Sequence, residues 1–246
     1  MTTLLRFRDL TLGYRRHPAV HHLSGEVEEG ALLAVVGPNG AGKSTLFKGV
    51  VGLMPPLSGA IDRAVNVRDI AYLPQVADID RSFPINVYDL VAMGLWRRVG
   101  PFGAVGATGR ERVHDAIAAV GLTGFERRPI AALSGGQMQR VLFARLSLQD
   151  SALIVLDEPF NAIDDRTAAD LVALVHRWHG ERRTVLAALH DMNLVSRHFP
   201  QTLLMAREPV AWGDTGRVLT AENLSKAQRM CEAFEEAAAE CAVAAE

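Results

Sequence analysis

Gly37–Pro38–Asn39–Gly40–Ala41–Gly42–Lys43–Ser44 has the spacing G-x-x-x-x-G-K-[ST], and the chemistry that fits it is the capture of a triphosphate. Phosphate oxygens need close approach of backbone N–H groups, and glycine permits both the approach and the unusual dihedrals. A helix starting at the end of the loop aims its positive end at the anion. Lys43 would bring a charge to the outer phosphates, and the Ser44 hydroxyl could hold Mg²⁺, with Thr45 closing the set. A second element should complete the metal site. Leu153–Ile154–Val155–Leu156–Asp157 is an apolar run ending in a carboxylate, followed at once by Glu158. Asp157 is expected to hold Mg²⁺ through water, while Glu158, pointing elsewhere, can polarise the attacking water.

Leu133–Ser134–Gly135–Gly136–Gln137 narrows the reading. Ser134 and the glycines stand where a helix begins and make a second anion site. This run matches in full the LSGGQ signature of the ABC ATPases, and Met138–Gln139–Arg140 continues as in that family; the chain resembles them. The resemblance implies a P-loop NTPase core and ATP hydrolysis. Two cassettes would meet head to tail, with Ser134, Gly135, Gly136 and Gln137 of one facing the γ-phosphate on the P-loop of the other. It also implies roles for residues that local chemistry alone does not mark. Tyr14, in Leu10–Thr11–Leu12–Gly13–Tyr14, looks like the aromatic that stacks on adenine. Gln75, after Leu73–Pro74, resembles the glutamine that reaches Mg²⁺ and the attacking water and hinges a helical lobe. Asn161–Ala162–Ile163–Asp164 stands at the D-loop, where the family more often has Ser-Ala-Leu-Asp, so a role carries over to Asp164 and none to Asn161. His190, before Asp191, occupies the switch-histidine position. The similarity extends to about residue 220.

These residues need elements to position them. Leu4 to Tyr14 alternates and predicts a strand, Gly25 to Gly30 a turn, and Ala31–Val36 a strand buried on both faces. Ser44 to Leu53 suits a helix and Ile70–Leu73 a strand. Helices are expected at Val87–Leu95 and Arg110–Val120, with a glycine-rich loop over Val99–Gly109 between them. Alternation then resumes: helix Gly136–Leu148, strand Leu153–Leu156, helix Arg166–His179, strand Thr184–Leu189, then strands Thr202–Met205 and Pro209–Trp212 joined by a turn. The expected fold is α/β, with a mainly parallel sheet, antiparallel N-terminal strands and an inserted helical lobe. The expected organisation is a single ABC ATPase domain over 1–246, with a nucleotide-binding core of 1–77 and 133–220, a lobe of 78–132 and a terminal helix of 221–246. Leu224, Ala227, Cys231, Phe234, Ala238 and Cys241 recur at helical spacing and should dock the last helix on its own domain.

At 246 residues with 49% hydrophobic content the chain can bury a sizeable core, and a net charge of −2 argues against a general nucleic-acid binder. Arg6, Arg8 and Asp9 interrupt any leader-like apolar run, and no run is long enough to span a bilayer. Cys231 and Cys241, ten residues apart on a helix, would be separated by about 15 Å and out of disulfide reach. His17, His21 and His22 are expected in a loop and His176 and His179 on a helix, all solvated rather than metal-bound, because no carboxylate or thiol joins them.

One cassette without coiled-coil or zinc insertions implies a transporter subunit. Its expected place is peripheral, at the cytoplasmic face of the cell (inner) membrane. Its expected partners are an integral membrane permease, a second copy of itself and, indirectly, an extracytoplasmic solute-binding protein. The stretch after Gln75 is similar to ATP-binding subunits of zinc and manganese importers: Asp78 and Asp80, Phe83–Pro84, Val87–Tyr88–Asp89 and Met93–Gly94. Zinc or manganese is the expected cargo. Iron-chelate or cobalamin import is the alternative, and a non-transport cytosolic ABC ATPase is the competing class.

Overall fold

The computed structural model describes residues 2–14, 17–75, 80, 83–100 and 103–243, with side chains to Phe234. The first layer is antiparallel: β1 (Thr3–Tyr14) pairs with both β2 (His17–Glu28) and β4 (Ser58–Arg63). The second layer is a six-stranded sheet. It contains β3 (Leu32–Val36), β5 (Ile70–Leu73), β6 (Leu153–Asp157), β7 (Thr184–Ala188), β8 (Gln201–Ala206) and β9 (Glu208–Asp214), in the order β5-β6-β7-β3-β8-β9. All its pairings are parallel except β8 with β9. Strands β3, β6 and β7 are buried at every position, as continuous Val/Ile/Leu/Ala runs covered on both faces should be.

Helices cover the sheet. α1 (Lys43–Val50) follows the glycine loop directly. α2 (Val87–Ala92), α3 (Trp96–Val99) and α4 (Ala107–Ala119) form the helical region, and α2 and α4 both pack on α5 (Gly135–Ser147). α6 (Asp165–Gly180) carries an apolar stripe ending in fully buried Trp178, which stacks on Phe143 of α5 with ring centroids 5.6 Å apart. α7 (Met192–His198), α8 (Thr215–Val218) and α9 (Ala221–Val243) complete the chain. α9 lies on β8 and β9 with Ala227 and Cys231 buried, which is the docking its spacing predicts. The helical path also keeps residues 231 and 241 apart, although the side chain of Cys241 lies outside the described residues.

Several expectations change. Gly25 to Glu28 is strand rather than turn, because β2 continues to Glu28 against β1, with Phe7 opposite Gly25 and Thr3 opposite Glu28. The histidine group is therefore not in a loop: His17, His21 and His22 stand on β2. β4 and α7 are elements that periodicity does not reveal. Val99–Gly109 is only partly loop, since α4 begins at Ala107, and Pro101 and Phe102 lie outside the described residues. So do 76–79, 81 and 82, which include Asp78 of the metal-importer-like stretch and the expected 77/78 boundary.

Candidate functional site

Parallel register gathers the chemistry at one sheet edge. Leu73 is opposite Leu156, Leu156 opposite Ala187, Asp157 opposite Ala188, and Ala188 opposite Val35. Four segments therefore leave the sheet side by side: Gln75, Asp157–Glu158, His190 and the Gly37–Ser44 loop. The carboxyl edge of parallel strands is where α/β folds bind ligands.

The loop is built as a cradle. Gly42 caps α1 with φ 91°, and a Cβ there would lie 2.3 Å from the Ala19 carbonyl. Gly37 has φ 157°, and its Cβ would meet the Met205 carbonyl at 2.1 Å. Only glycine satisfies both the dihedral and the space. From behind, the Arg207 backbone N–H donates to the Ala41 carbonyl at 2.9 Å. Asn39, Gly40, Ala41, Gly42, Lys43, Ser44 and Thr45 line a cavity of about 390 Å³ together with Gln75 and Glu158. Buried Lys43 donates from Nζ to the carbonyls of Gly37 (2.8 Å) and Pro38 (3.1 Å). Desolvation lowers its pKa, while the nearby charges of Glu158 and Asp157 work in the opposite direction. A buried ammonium among neutral carbonyls, facing an open cavity, is suited to receive an anion.

Asp157 is only 2% exposed, and its Oδ1 accepts from Ser44 Oγ at 3.1 Å. Burial pushes its carboxyl above the usual range, against the Ser44 hydrogen bond and the Lys43 charge. Two hard oxygen donors at the strand end, the Ser44 hydroxyl and the desolvated Asp157 carboxylate it donates to, fit a small divalent cation such as Mg²⁺.

Glu158 turns away from Asp157 because its backbone is left-handed, φ 51°. Such a conformation costs a non-glycine residue about 1–3 kcal/mol. It brings the carboxylate under three groups: Gln75 Nε2 donates to Oε2 at 2.7 Å, Asn161 Nδ2 to Oε2 at 3.3 Å, and His190 Nε2 contacts Oε1. Glu158, Gln75 and His190, far apart in sequence, thus form one cluster. Asn161, to which the sequence assigned no role, belongs to it. The only signal for it was its departure from the serine usual at that place.

The remaining residues stand elsewhere. Ser134 caps α5 in a reciprocal box: Ser134 Oγ accepts from Gln137 N at 3.2 Å, and Gln137 Oε1 accepts from Ser134 N at 3.0 Å. Asp164 caps α6 through Thr167 N (2.9 Å) and Thr167 Oγ1 (2.8 Å), and these bonds, the backbone one first, hold its carboxyl below the ordinary value. Ser134, Gly135, Gly136 and Gln137 share a cavity of about 640 Å³ with Ala162, Ile163 and Asp164. Among the described residues this cavity has no lining residue in common with that of the glycine loop. Gln139 ties α5 to the Glu158 turn by donating to the Pro159 carbonyl at 2.7 Å. Tyr14 is half exposed at the end of β1, where its hydroxyl accepts from Lys48 Nζ at 3.0 Å, and it lines neither cavity.

Among the described residues no helix is long and apolar enough to cross a membrane, and no group of three metal-ligating side chains occurs. A family model described as ABC transporter matches residues 20–161. The zinc transport system ATP-binding protein TroB of Treponema pallidum is 38% identical over 224 residues, 89% of this chain and 84% of the relative. The manganese transport system ATP-binding protein MntB of Bacillus subtilis is 36% identical over 223 residues, 89% of each. A solved metal-chelate type ABC transporter in an inward-facing conformation superposes with a TM-score of 0.82 at 29% identity, over 93% of this chain and 90% of that one. Similarity of this extent reaches beyond the phosphate loop that many folds share, and the chain belongs to the ABC transporter family.

Proposed function

We propose that this chain is the ATP-binding and ATP-hydrolysing subunit of an importer that takes up a transition metal ion, zinc or manganese. The observation that carries the reading is that relatives 35–38% identical, matched along most of their length, are named as zinc and manganese transport ATP-binding proteins. The cluster geometry supports the chemistry. Lys43 exchanges its two loop carbonyls for outer phosphate oxygens, and the loop N–H groups and the start of α1 hold the rest. Ser44 and Asp157, with Gln75, would hold Mg²⁺, which when bound neutralises phosphate charge. Glu158 takes the proton of the attacking water as the new P–O bond forms and the bond to ADP breaks, while His190 and Gln75 hold its two oxygens. Tyr14 supports the adenine.

The separation of the two cavities supports a head-to-tail pair, in which Ser134–Gln137 and Asp164 of one copy close on the glycine loop of the other. The helical region, proposed to span 78–132 between core segments 1–77 and 133–220, offers exposed Phe83, Met93 and Trp96 to an integral membrane permease at the cytoplasmic face. A solute-binding protein on the far side acts only through that permease. Within the terminal segment proposed as 221–246, α9 (Ala221–Val243) braces β8 and β9. The test is uptake of labelled zinc and manganese by cells lacking this chain, complemented with wild type or Glu158→Gln. Wild type is expected to restore one of the two metals and the variant neither. Recovery of uptake by the variant at the wild-type rate would refute the assignment.

The resemblance to the metal-chelate type transporter favours a second reading, import of a chelated metal. Uptake of labelled chelate, with free zinc and manganese uptake unaffected by loss of the chain, would select it.

A further inference from the structure

We propose that Asn161 is a positioning residue for Glu158: its carboxamide holds the carboxylate in the orientation from which it receives the proton of the attacking water. This rests on Glu158 being the base. The geometry gives Glu158 two oxygens with separate tasks. Oε1 faces His190, and Oε2 receives two amide donors, Gln75 Nε2 at 2.7 Å and Asn161 Nδ2 at 3.3 Å. The donors come from opposite sides in the chain. Gln75 follows β5, a separate strand, whereas Asn161 lies three residues beyond Glu158 in a turn closed by Asn161 N donating to the Glu158 carbonyl at 3.2 Å. The left-handed backbone of Glu158 sets the side chain's exit direction, but its own torsions stay free unless something grips the far end. The gripping group must donate and must not accept a proton in competition, and an amide N–H does both. Serine would place its donor one bond nearer the backbone, on a hydroxyl that can also accept, so asparagine here has a chemical consequence. Asn161 contacts the base and does not line the glycine-loop cavity. Its contribution should therefore appear in turnover and not in nucleotide binding.

The experiment is a double-mutant cycle on the full chain. It measures ATP affinity by fluorescent-nucleotide titration, thermal midpoint, and kcat and KM for ATP. Asn161→Ala is expected to lower kcat about tenfold or more, the scale of a hydrogen bond to a charged group, with KM, ATP affinity and thermal midpoint unchanged. Asn161→Asp, which keeps the shape but replaces the donor with a second negative charge, should lose more than Asn161→Ala. Asn161→Gln, which keeps the donor, should recover part of the rate. In a Glu158→Gln background, Asn161→Ala should add no further loss, because the group it positions is gone. Full kcat in Asn161→Ala with an inactive Glu158→Gln would overturn the positioning role alone. A fully active Glu158→Gln would remove the base itself. A parallel drop in thermal midpoint and ATP affinity, or additive losses in the double mutant, would make Asn161 a merely structural turn residue and also overturn the inference.

Discussion

Asp157 is the residue where folding and function pull apart. Burial raises its pKa, so the folded state holds the proton more readily than the unfolded chain does. Between the ordinary aspartate value and that raised value the folded state binds more protons, and stability falls as pH rises through the window. At neutral pH the buried charge is a net cost, one that the proposed Mg²⁺ site would require. Asp157→Asn should therefore raise the thermal midpoint of the nucleotide-free protein, by about 2–4 °C for each kcal/mol relieved, and flatten its acid-side pH dependence. The same variant should lose the extra stabilisation that ATP with Mg²⁺ gives over ATP alone; scanning calorimetry in both conditions checks both signs. Glu158→Gln should act differently: ATP binding retained and turnover reduced by about 10²–10⁴-fold, the range of general-base contributions. A malachite-green phosphate assay beside a binding titration separates the two.

At the scale of elements, the segment entering the helical region makes two neighbours behave oppositely. Phe83 is 61% exposed, whereas Ile85, two residues on, is 9% exposed and accepts from Ile130 N at 3.0 Å. Ile85→Ala should destabilise by about 2–5 kcal/mol in denaturant titration, and Phe83→Ala should leave stability and basal ATPase intact while weakening permease binding and metal uptake. An early-melting Phe83→Ala would place that ring in the core instead. How much of this was legible in the sequence follows from what each element depends on. Strands β3, β6 and β7 announce themselves because burial on both faces demands unbroken apolar runs, and the glycine loop because phosphate contact demands glycine at fixed spacing. β4, Ser-Gly-Ala-Ile-Asp-Arg, has little strand character of its own and exists because β1 offers it an edge. β2 hides behind its histidines and Gly25. α7 spans seven residues with only Val195 buried, too short for a period to show. Asn161 showed only as a departure from the usual serine for a related reason: its partner lies in a turn whose left-handed geometry at Glu158 no residue type betrays.

For the whole molecule, the two surfaces proposed to face nucleotide share no lining residue among the described residues. The capped start of α5 and the glycine loop line separate cavities, and the Phe143–Trp178 stack with the Arg140 contacts to Thr167 and Asp170 ties α5 firmly to α6. Ser134→Arg should spare ATP binding, and Lys43→Ala should abolish it. Mixed in equal amounts, the two variants should regain at most one working site per pair, and ATPase of the mixture above the sum of the separate variants is the readout. The separation of the cavities also sets a kinetic order. If a competent site exists only where two chains touch, the rate of hydrolysis by dilute chain grows with the square of protein concentration and becomes linear only once pairing saturates. A membrane that holds two copies a fixed distance apart would replace that collision with a tether, so the same molecule that idles when free would turn over when docked.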